Sequence, residues 1–132
     1  MGQQQLLLII LGVIIVGIAI AVGLSLFSAQ SVQSNRDAII NDLNNLAAQA
    51  YQFKVRPSSM GGGQGFYGGF SIPSKMLTNE NATYETDNTP VSASATTFVF
   101  TATSAQNTTN TITVTIDAEG RLTGWSYTGD FQ

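Results

Sequence analysis

The stretch Leu6–Phe27 constrains this chain more than any other. It reads LLLIILGVIIVGIAIAVGLSLF, twenty-two residues without a charged side chain. Wound as an α-helix at 1.5 Å per residue, it measures roughly 33 Å, enough for a bilayer core of about 30 Å. It is apolar around its whole circumference, so it needs lipid or the middle of a helical assembly. The apolar region of a secretory signal runs only about 7–15 residues, between a basic run and a small-residue cleavage site. Neither flank has that character, and the segment is expected to stay on the protein. Its core-forming side chains are Leu6, Leu7, Leu8, Ile9, Ile10, Leu11, Val13, Ile14, Ile15, Val16, Ile18, Ile20, Val22, Leu24 and Phe27. Gly12, Gly17 and Gly23 interrupt them, each weakening a helix interior by up to about 1 kcal/mol. Two roles are open for these glycines: close approach of a neighbouring helix, or points where the helix loosens on leaving the membrane.

The remainder of the 132 residues holds one small domain. Five basic and eight acidic residues give a net charge of −3, with no basic patch to attract nucleic acid. Cysteine and histidine are both absent, which removes thiolate chemistry, disulfides and the commonest general base and metal ligand. No constellation for catalysis or for a cofactor is visible. The polar, weakly charged composition after residue 56 suits a surface or secreted protein.

After Phe27 the chain turns polar, and Arg36 is its first charged side chain. Ile39, Leu43, Leu46, Ala50 and Phe53 then recur at spacings of 4, 3, 4 and 3, a stripe on one helix face. No helix breaker intervenes before Pro57, so one helix is expected over about 3–54, with 28–56 as its amphipathic continuation. Residues 57–132 form the head. PSSMGGGQGFYGG (57–69) holds six glycines and is a connector, folded back on the helix by Phe66, Tyr67 and Phe70. Glu80, Glu85 and Asp87 lie in a weakly patterned, solvated stretch. Asn81-Ala-Thr83 and Asn107-Thr-Thr109 match the N-glycosylation acceptor pattern.

The last forty residues alternate like strands. Phe98, Phe100 and Ala102 share one face of 97–103; Ile112, Val114 and Ile116 share one face of 110–116. Asp117–Gly120 is a hairpin turn, and 121–128 is a third strand whose phase slips, which predicts a bulge near Gly124. A fourth strand is expected from the Phe66–Ile72 region. The architecture is therefore α+β: a long N-terminal helix and an antiparallel meander of three to four strands. Ile112, Val114, Ile116 and Trp125 should cover the helix stripe.

An apolar N-terminal helix, an amphipathic second half over Val32–Phe53, a Gly-rich loop and a C-terminal meander together resemble the type IV pilins and their pseudopilin relatives. The resemblance implies a structural subunit of an extracellular helical filament, neither enzyme nor cofactor binder. Its partners would be identical subunits, the membrane before assembly, and an assembly machinery. Two alternatives stand beside it: a minor pilin or pseudopilin of a secretion or uptake machine, and a membrane-anchored binding module. Pilins lose a basic leader to a dedicated peptidase, which implies a mature start at Met1 or Gln3. The fifth mature position, usually acidic in pilins, is then Gln5 or Leu7. Gln5 is able to accept a hydrogen bond from a neighbour's amine, but a neutral acceptor is roughly half as strong as a charged one.

Overall fold

The computed structural model describes residues 2–87 and 90–132. Met1, one of the two candidate starts, lies outside the described residues. The fold is α+β. One helix, α1 (Gly2–Val55), precedes four strands: β1 (Ala82–Thr86), β2 (Phe98–Ser104), β3 (Thr111–Ile116) and β4 (Leu122–Tyr127). All neighbours are antiparallel, in the order β1-β2-β3-β4. The chain divides into two compact units, one running to Ser34 and the other Asn35–Gln132.

In Asn35–Gln132 the helix stripe is the centre of the core. Ile39, Leu43, Leu46 and Ala50 are fully buried. Each strand contributes alternate residues, as the two-residue period of a pleated sheet requires. Ala82 and Tyr84 are buried on β1; Phe98, Phe100 and Ala102 on β2; Ile112, Val114 and Ile116 on β3. Phe98 is an aromatic hub, 5.1 Å from Tyr67, 5.7 Å from Phe70 and 4.8 Å from Phe100 between ring centroids. Such tilted and edge-on pairs add roughly 0.5–1.5 kcal/mol each beyond the area they bury.

The Gly-rich loop caps the helix. The amides of Gly63 and Gly65 donate to the carbonyls of Phe53 and Lys54, which have no intrahelical partner at a helix end. This close wrapping excludes side chains: a Cβ on Gly62 would lie 2.2 Å from the Arg56 carbonyl oxygen. The β3–β4 turn closes by hydrogen bonds between Asp117 and Arg121, with Gly120 at φ +81°. The bulge is present as well. Gly124 and Trp125 together oppose Val114, and Gly124 takes the left-handed conformation at φ +67°.

The structure corrects four expectations. The fourth strand is β1, not Phe66–Ile72. That stretch is irregular because Gly69 sits at φ +87° and Gly68 packs against the Ala93 backbone with no room for a Cβ. It is pinned by hydrogen bonds from Tyr67 to Ala95 and from Gly69 to Val91. Tyr67 and Phe70 are buried under it, but Phe66 points outward and is 43% exposed. Phe53 is half-buried beyond the end of the stripe, beside Phe70 at 5.8 Å. Trp125 is also half-buried: it lies in the bulge of β4, an edge strand of the sheet, and stacks on Tyr127.

Candidate membrane and assembly segment

Sixteen large apolar side chains from Leu6 to Phe27 are between 52% and 73% exposed. They comprise every core-forming residue named above together with Leu26. Full burial of one such side chain is worth roughly 1.5–3 kcal/mol, so the segment as a whole withholds tens of kcal/mol of hydrophobic free energy. By length and composition this part of α1 is able to cross a membrane, and none of its most apolar window is buried. A Cβ added at Gly12, Gly17 or Gly23 would meet nothing within 4 Å. Among the described residues nothing packs against these glycines.

In Asn35–Gln132 the polar side chains tie the helix to the sheet. Asn35 is a buried amide with both ends satisfied: it donates to the Asn81 carbonyl at 3.1 Å and accepts from the Ser104 hydroxyl at 2.6 Å. One turn pair further on, Asp42 Oδ2 accepts from Tyr84 at 2.5 Å, Asn79 at 2.9 Å and Asn81 at 3.2 Å. At the helix end, Lys54 donates to the Ala118 carbonyl and lies within cation–π reach of Tyr51 and Tyr67. Tyr67 donates to the Asp117 carbonyl at 2.6 Å. Burial, with Asp117 nearby, pushes its phenol up to about 12. The Arg36 guanidinium sits 4.3 Å from the centre of the Tyr127 ring.

The two glycosylation-pattern asparagines differ. Asn81 is half-buried and its amide nitrogen is engaged by Asp42. Asn107 is exposed on the β2–β3 loop, and its Oδ1 accepts from the Thr109 amide and hydroxyl. Among the described residues no three of the side chains Asp and Glu gather as metal ligands would.

The Asp42 cluster makes an acid-dependent contribution to stability. Partial burial raises the Asp42 carboxyl, but the hydrogen bonds from Tyr84, Asn79 and Asn81 outweigh it and leave it below its ordinary value of 3.8. A depressed folded-state value means that ionised Asp42 stabilises the fold above that pH and loses the effect as pH falls through its own, lower value. Asp42→Asn is therefore expected to melt below the wild type near neutrality, with the gap narrowing once pH drops under about 4. Asp117 is held low as well, by the Arg121 backbone amide, but it titrates identically in both proteins and cancels from the difference. Thermal melts of both proteins across this range decide it; a gap independent of pH would remove Asp42 from the acid response.

The chain matches no family model, no curated protein and no solved structure.

Proposed function

We propose that this chain is the structural subunit of an extracellular, type IV pilus-like helical filament, held in the membrane before assembly and packed through Leu6–Phe27 afterwards. The observation that carries the reading is the unpartnered circumference of the first unit: sixteen large apolar side chains stand exposed in the isolated chain. Exchange of lipid for neighbouring helices keeps that surface out of water throughout. The three glycines favour assembly over a solitary anchor. Each costs up to about 1 kcal/mol in a helix, none has a packing partner among the described residues, and close approach of a second helix uses the space they leave.

Electron microscopy of material sheared from the producing cells, with mass spectrometry of its main band, tests this. Uniform thin filaments built of this chain are expected, and the observed N-terminus separates Met1 from Gln3. A chain that stays with the membrane while no filaments appear would overturn the reading in favour of an anchored binding module or a pseudopilin.

A further inference from the structure

A cleft of about 450 Å3 opens beside the C-terminal turn of α1, entirely within Asn35–Gln132. Phe53 and Phe70 form its apolar floor, and Gln49, Gln52 and Arg56 stand around it. The volume falls within the range of small-ligand sites, about 300–1,000 Å3. The loop beside it packs tightly on Phe53. A Cβ on Gly63 would lie 1.8 Å from the Phe66 carbonyl oxygen and 3.1 Å from the Phe53 ring, so the loop is seated against the floor.

The polar groups are available to a ligand. The ion pairs of Arg121 with Asp117 and Glu119 leave Arg56 aside, and among the described residues no carboxylate is paired with Arg56. Loop amides already cap Phe53, Lys54 and the Arg56 carbonyl itself. Gln49 contacts the Met76 sulfur through Nε2 at 3.1 Å, which leaves its Oε1 as an acceptor.

We propose that this cleft binds a uronic-acid unit of an acidic polysaccharide. A guanidinium presents a planar fork that matches a carboxylate with two parallel hydrogen bonds. A primary amide both donates and accepts, as a sugar hydroxyl does, so Gln49 and Gln52 complement neighbouring hydroxyls. The Phe53 ring offers an apolar surface for the C–H face of the pyranose. One cation at the negative end of a helix dipole suits a monoanion better than a doubly charged phosphate, which is favoured at the opposite end of a helix. The cleft is open to solvent, so a polymer is able to continue past the bound unit in both directions.

Isothermal titration of the full-length protein in detergent micelles with an oligogalacturonate tests the proposal, with a neutral galactan of equal length as control. Saturable binding is expected for the acidic probe and at least about tenfold weaker binding for the neutral one. Arg56→Gln should weaken the acidic probe by about tenfold, while Arg121→Gln, on the β3–β4 turn, should not. Gln52→Ala is a second variant at an exposed position, expected to weaken both probes. No saturable binding, equal binding of the neutral probe, or unchanged affinity in Arg56→Gln would each overturn the proposal. The site lies wholly in the second unit, so absent filaments with intact binding would overturn only the proposed function, and the reverse only this inference.

Discussion

Ile15→Arg is expected to abolish filament formation and to weaken membrane insertion while leaving Asn35–Gln132 folded. Ile15 lies near the middle of the apolar run and is 57% exposed, so its removal deletes no contact within the second unit. The whole penalty falls on the surroundings. A central arginine costs about 2.5–3.5 kcal/mol on insertion scales, a shift of roughly a hundredfold against the spanning state. Within a packed bundle the charge would also lack a counter-ion: every Asp and Glu of the chain lies beyond residue 36. An unpaired buried charge is worse still. Ile15→Val, which keeps the position apolar, should assemble normally. The measurements are filament yield after shearing, partition into the membrane fraction, and the melting of the second unit followed by near-ultraviolet dichroism. Normal filaments from Ile15→Arg would place Leu6–Phe27 outside any apolar core.

The parts of the fold legible in the sequence are those written in one-dimensional period. The spacing of Ile39, Leu43, Leu46 and Ala50 survives into the structure because a helix turns its side chains at a fixed angle, whatever the partner. The alternation of Ile112, Val114 and Ile116 survives for the corresponding reason in a strand. β1 was illegible because its inward face holds only Ala82 and Tyr84, and Thr83, Glu85 and Thr86 give no apolar contrast. Phe66–Ile72 misled in the opposite way. Its aromatics have strand propensity, but the backbone freedom of Gly68 and Gly69 and hydrogen bonds to residues twenty or more positions away decide its path. The cleft and the Asp42 cluster were beyond reach for a related reason. Gln49 and Phe53 on α1 meet Phe70 only when the loop folds back. Asp42 meets Asn79, Asn81 and Tyr84 across some forty residues. A short polar side chain gives no sequence signal of a partner so distant. The apolar segment was legible as a surface in need of cover, and none of its most apolar window is buried within the described residues.

Leu43→Asp is expected to unfold the second unit. Leu43 is 0% exposed, on the helix stripe between Ile39 and Leu46, which are equally buried. Truncation alone, as in Leu43→Ala, should cost about 2–5 kcal/mol through lost transfer energy and the cavity left behind. Aspartate adds the burial of a carboxylate, and no cation lies nearby on this face: the helix basic residues are Arg36, at the Tyr127 ring, and Lys54, at Ala118. The total should reach most of the roughly 5–15 kcal/mol that stabilises a domain of this size. Asn44→Asp and Asn45→Asp carry the same added charge at exposed positions of the same turn, and should stay within about 0.5 kcal/mol of the wild type. Thermal melts of the wild type and the four variants in detergent, read through the half-buried Trp125, separate the two faces. Leu43→Ala should melt some 10–30 °C below the wild type, and Leu43→Asp should show no cooperative transition. The sheet has no other α-helix to cover it among the described residues. Loss of this one stripe therefore exposes the inward faces of β1, β2 and β3 together. If Leu43→Asp instead melted with Asn44→Asp, the face that α1 turns to the sheet would have to be a different one.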